Sequence, residues 1–181
     1  MNCGGYLGCN CCLAMCSRYT LHMKVLAIDP GYGRCGVAVV EKNGGGKEIL
    51  LYSACIETSA KSEFADRLAQ VANECARLIA AHAPDCLALE KLYFQTNQKT
   101  AMRVAEVRGD LINTAQGAGI EVFEYTPGEV KSAAAGSGSA DKKAVARMLH
   151  ALIKIEKEIE HDDEYDAIAI AVTHLSRARL G

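Results

Sequence analysis

Two short apolar runs in this chain each end on a carboxylate: Lys24 to Ile28 (KVLAI) stops at Asp29-Pro30-Gly31, and Cys86 to Leu89 (CLAL) stops at Glu90. Runs of this length bounded by turn formers or charge read as buried strands, too short for core helices. Between them, Cys35 to Val40 and Ile49 to Ile56 are β-rich, and Asn43-Gly44-Gly45-Gly46 gives the flexible connection of a hairpin, so the first three strands are antiparallel. From Ser62, an expected N-cap, Phe64, Leu68, Val71, Cys75, Leu78 and Ile79 recur at helical spacing, with Pro84 just beyond the end.

A helix over Thr100 to Ala115 follows, stopped by Gly117 and Gly119, and Ile120 to Tyr125 is a fifth strand. Thr126-Pro127-Gly128-Glu129 matches a capping box with proline at the first helical position. Gly136-Ser137-Gly138-Ser139 leads into a helix from about Ala140, whose apolar stripe is Val145, Met148, Leu149, Leu152 and Ile153. Ala167 to Val172 is apolar on every side, which suits a buried final helix, a strand remaining open by pattern alone. The order predicts an α/β domain: a mixed five-stranded sheet, three antiparallel strands then parallel β/α units, with helices on both faces.

The 181 residues are half apolar and 23% charged, the profile of a single globular domain, and charge interrupts every stretch long enough to span a membrane. A net charge of −2 does not announce a nucleic-acid binder. Five of the nine cysteines (Cys3, Cys9, Cys11, Cys12, Cys16) crowd the first 16 residues, whereas Cys35, Cys55, Cys75 and Cys86 are scattered singly, as in a reduced, cytoplasmic protein. Residues 1–22 lack the paired C-x-x-C spacings and histidines of a zinc module, and His22 is isolated. They also lack the pattern of a signal peptide. They read as a mis-assigned start upstream of a natural initiator at Met23, or as a disordered tail, before a domain at 23–181.

Asp163 and Asp166 open the last apolar element three residues apart, near one another on a helix face at the anion-favouring end of the helix dipole. Each acid alone has a plain explanation: a turn, a solvated strand end, a helix cap. All four stand at the ends of apolar elements, where they could converge. Mutual repulsion would then raise their pKa values unless a cation neutralised it, and hard oxygen donors suit Mg²⁺ or Mn²⁺. Two such ions roughly 4 Å apart fit phosphodiester hydrolysis.

Ala27-Ile-Asp-Pro-Gly31, Leu89-Glu-Lys-Leu-Tyr-Phe94, Asn97, Arg108-Gly109, Phe123-Glu-Tyr125, Val130-Lys131, Gly138-Ser-Ala-Asp-Lys142 and Asp166-Ala-Ile-Ala-Ile-Ala-Val-Thr-His174 together resemble the RuvC family of Holliday-junction resolvases. The resemblance runs over nearly the whole chain from Met23 and implies a ribonuclease H-like fold. It implies that Asp29, Glu90, Asp163 and Asp166 form the catalytic metal site. Asp162 and His161 flank the third position, where some relatives carry histidine, and the three-residue step to Asp166 favours Asp163. It further implies that Lys131 and Lys142 lie near the scissile phosphate and that Tyr93 engages unpaired bases, and alternation in an extended segment would then turn Phe94 inward. Lys143 and Arg147 are weaker candidates for phosphate contact. The implied substrate is four-way junction DNA, the implied assembly a homodimer working with a branch-migration helicase complex of RuvA and RuvB type. Two other classes share features of the pattern. A sugar-kinase or actin-like ATPase also carries an acid after its first strand but needs two lobes. A junction-binding protein without catalysis would be expected to have replaced one of the acids.

Overall fold

The computed structural model describes residues 22–44, 47–92, 98–136, 138 and 141–178. Six strands and five helices alternate along them: β1 (His22–Asp29), β2 (Arg34–Asn43), β3 (Glu48–Glu57), α1 (Phe64–His82), β4 (Cys86–Glu90), α2 (Gln98–Gly117), β5 (Glu121–Tyr125), α3 (Pro127–Ala135), α4 (Lys142–Leu152), β6 (Ile153–Lys154) and α5 (Asp162–Arg177). The sheet order is β5-β4-β1-β2-β3-β6, antiparallel through β1–β3 and parallel at the β1–β4, β4–β5 and β3–β6 pairs.

Strand periodicity divides the core in two. Val25, Ala27, Ala38, Val40, Cys86 and Ala88 face α3, α4 and α5 on one side. Leu26, Ile28, Val37, Val39, Leu87 and Leu89 alternate with them and pack on α1 and α2 on the other. Because β1, β2 and β4 are buried on both faces, their sequences read as continuous apolar runs. The face toward α5 is built from small side chains, and Ala167, Ala169 and Ala171 of α5 are fully buried against it. His174 holds the far end of α5, its ring sharing hydrogen bonds with the Tyr125 hydroxyl (2.8 Å) and the Cys86 thiol (3.2 Å).

The mixed sheet, the helices on both faces and the capping box stand as expected. Thr126 Oγ1 accepts from the Glu129 amide, and the Glu129 carboxylate accepts from that of Thr126. Ala167 to Val172 lies within a helix, resolving the alternative left open by pattern. Three details differ. The sheet has a sixth strand: Ile153, expected in the stripe of α4, caps that helix and pairs with Glu48, a two-residue bridge too short to leave a period. Met148 of the same stripe is 42% exposed. The N-cap of α1 is Glu63, one residue after Ser62, without a side-chain cap bond. Among the described residues, no helix is long and apolar enough to cross a membrane.

Candidate active site

One row of residues crosses the sheet where β1 and β4 end. Asp29 shares the parity of Val25 and Ala27, and Glu90 that of Cys86 and Ala88, so both belong to the face that carries α5. Asp29 pairs with Gly36 of β2, Gly36 pairs with Cys55 of β3, and Glu90 pairs with Tyr125 of β5. Helix α5 lands on this row. A Cβ on Gly36 would sit 1.9 Å from the backbone oxygen of Asp163, so only glycine lets the first turn of α5 approach β2 this closely. That contact brings Asp163 and Asp166 to the strand ends that bear Asp29 and Glu90.

The electrostatics record the convergence. Burial, then the charges of Glu90, Asp166 and Asp163, push the Asp29 carboxyl up to about 7, with Lys142 alone opposing them. Burial and Asp166 raise Glu90, while Lys131 pulls it down. Burial raises Asp166 against the pull of Lys142, whose Nζ lies 3.4 Å from Asp166 Oδ2 and 3.7 Å from Asp162 Oδ2. Asp163 Oδ2 is buried without a hydrogen bond, with Arg34 Nε 3.5 Å away and the charge of Lys142 also acting on Asp163.

Four mutually repelling carboxylates, one with an orphaned oxygen, fit a hard divalent cation by donor chemistry. They stand further apart than the inner shell of one ion: among the described residues, the one set of three donors within 4.8 Å of one another lies elsewhere. Two clefts open beside the acids. One, of about 300 Å³, is lined by Glu90, Lys131, Lys142 and Asp166; the other, of about 400 Å³, by Asp29, Glu90, Lys91, Arg108 and Lys131.

A family model described as crossover junction endodeoxyribonuclease RuvC matches residues 25–174. The chain belongs to the RuvC family. Relatives of that name from Moorella thermoacetica and Petrotoga mobilis are 42% and 41% identical over 156 and 152 residues, covering 86% and 84% of this chain and 93% of each relative. RuvC from Thermus thermophilus in complex with a Holliday junction substrate superposes with a TM-score of 0.82 at 31% identity, over 88% of this chain and 96% of that one. The yeast mitochondrial Holliday junction resolvase Ydc2 shares the fold with a TM-score of 0.69 at 15% identity, over 88% and 80%.

Of the residues expected at a RuvC site, the structure gathers Asp29, Glu90, Asp163, Asp166, Lys131 and Lys142. Lys143 is exposed in the first turn of α4 and lines neither cleft. Tyr93 and Phe94 lie outside the described residues. Asp162 is 73% exposed, whereas Asp163 is 19% exposed beside Arg34, and the His161 side chain gathers with Cys55 and Glu57. Two residues escaped the sequence reading. Gly36 left the usual trace of a close approach, a lone glycine inside a strand pattern. Arg34 left none, because its partner is 129 positions away.

Proposed function

We propose that this chain resolves Holliday junctions in recombination and repair by two symmetric, metal-dependent phosphodiester hydrolyses that leave 5′-phosphate and 3′-hydroxyl ends. The observation that carries the proposal is the gathering of Asp29 and Glu90 at the strand ends with Asp163 and Asp166 of α5, beside lysine-lined clefts. These four carboxylates would hold the divalent cations, two Mg²⁺ ions with Mn²⁺ able to serve instead. When bound, such ions lower the pKa of a water and neutralise charge on the phosphate. Lys142 supplies a cationic head at the same edge, where developing charge on the phosphate oxygens needs neutralising. Lys131 faces both clefts and is placed to hold the strand. Tyr93 would stack on an unpaired base, and Lys143 would touch phosphate further out.

A four-way junction has two-fold symmetry, so two copies of this chain acting as a homodimer match paired incisions. A branch-migration complex of RuvA and RuvB type would deliver the junction. Residues 23–181 would form the nuclease unit together with His22, which was expected outside it but opens β1 opposite Asn43, in a cytoplasm that keeps Cys35, Cys55, Cys75 and Cys86 as the free thiols they are. Incubating the purified full chain with an end-labelled synthetic four-way junction and a matching linear duplex tests the proposal. Paired symmetric cuts in the junction alone, abolished by chelator, are expected. Junction binding without a cut under any divalent metal would overturn it.

A further inference from the structure

The row that carries the acids continues past Gly36 to Cys55 and there meets a second group of donors. Cys55 and Glu57 are two apart on β3, so both point to the face on which α5 lies. His161 is the N-cap of α5, but its side chain makes no cap bond. It extends instead toward β3, and Cys55 Sγ, a Glu57 carboxylate oxygen and a His161 ring nitrogen all lie within 4.8 Å of one another. Among the described residues, this is the tightest gathering of metal-ligating atoms, and its donors differ in kind from those of the acid cluster. Thiolate, imidazole and carboxylate together select a borderline-soft ion, whereas an all-carboxylate set selects Mg²⁺.

We propose that Cys55, Glu57 and His161 form a second metal site, specific for Zn²⁺, that clips the end of β3 to the N-cap of α5. Three protein ligands with water in the fourth position complete a tetrahedral shell. Donors 2.0–2.3 Å from one ion stand roughly 3.3–3.7 Å apart. Glu57 is exposed and the other two are half-buried, so side-chain rotation supplies the remaining closure. Arg34, cross-strand from Glu57, reaches Asp163 with Nε at 3.5 Å and also lies close enough to Cys55 to favour its thiolate. His161 is two residues from Asp163, so the ion would tether the same helix turn that Gly36 admits to the sheet. The site stands independently of the nuclease proposal.

The test uses the full chain with Cys3, Cys9, Cys11, Cys12 and Cys16 replaced by serine, which removes the N-terminal thiols from competition. Titration with Co²⁺ is expected to produce one equivalent of a species with a thiolate-to-cobalt charge-transfer band, displaced by Zn²⁺. Carboxylates alone cannot give that band. Cys55→Ser should abolish it, and His161→Ala and Glu57→Gln should each weaken Zn²⁺ binding by at least the roughly 10- to 100-fold typical of losing even an outer-shell partner. Absence of the band from the parent protein, or its survival in Cys55→Ser, would overturn the proposal. Glu57 is exposed, so Glu57→Gln leaves the fold intact, and unchanged Zn²⁺ affinity in that variant would overturn it as well.

Discussion

Asp163 and Glu164 are neighbours in the first turn of α5, yet they end in opposite circumstances. Glu164 is 2% exposed and fully answered: Ser53 Oγ donates to it at 2.6 Å and Lys157 Nζ at 2.7 Å, while the same ammonium reaches the Ser53 carbonyl. Burial pushes its carboxyl up, but Lys157 and Ser53 prevail and hold it below the usual range. Asp163 joins a group in which burial and like charge drive Asp29 up to about 7. A structural acid is closed by the protein's own donors, whereas these acids remain open to a cation from outside.

Removing the open side's central charge should have the largest effect. Asp29→Asn is expected to lower cleavage on the order of 10³-fold, the scale of several kcal/mol of lost charge stabilisation, while leaving junction binding intact; gel-shift and single-turnover assays separate the two. Gly36→Ala comes next. Its methyl would collide with the Asp163 backbone, so it should destabilise the fold by about 1–3 kcal/mol and depress cleavage together, whereas substitutions elsewhere on β2 separate the two readouts. Wild-type cleavage in Gly36→Ala would show that the approach of α5 does not set the site.

Opening the closed side sharpens the contrast. Lys157→Ala leaves a buried carboxylate with neutral donors and no cation and should cost about 1–3 kcal/mol by chemical denaturation, with cleavage of the folded enzyme unchanged. Lys142→Ala should do the reverse, lowering turnover more than junction affinity with little change in stability, since the side chain is 68% exposed. Thr126→Ala, at the capping box, should have the smallest effect, about 1 kcal/mol of stability with no change at the site.

The open side was legible in the sequence and the closed side was not. Asp29 and Glu90 end apolar runs, and Asp163 and Asp166 share a helix face, so local patterning exposes them before any contact is known. Asp163 was separable from Asp162 only by its three-residue step to Asp166. Ser53 and Glu164 lie 111 positions apart, and nothing near either residue marks the partnership. Gly36 is intermediate: its place in a strand hints at a close approach but not at what approaches. The two-residue β6 and the Cys55, Glu57 and His161 gathering likewise depend on register between distant segments.

Thermal unfolding between pH 5 and 8, with chelator and with Mg²⁺, tests the contrast most directly. Asp29 has a native value near 7 against 3.8 unfolded, so the native state binds the extra proton, and metal-free stability falls as pH rises through that window, by a few kcal/mol in order of magnitude. Glu164 has the opposite sign: its contribution is present above the unfolded value of 4.5 and is lost as pH falls below it, outside the window. The chelated wild-type chain should therefore lose stability relative to Asp29→Asn as pH rises toward 8, and Mg²⁺ should restore it. Parallel profiles for the two proteins, with no response to Mg²⁺, would contradict a site held open for a cation.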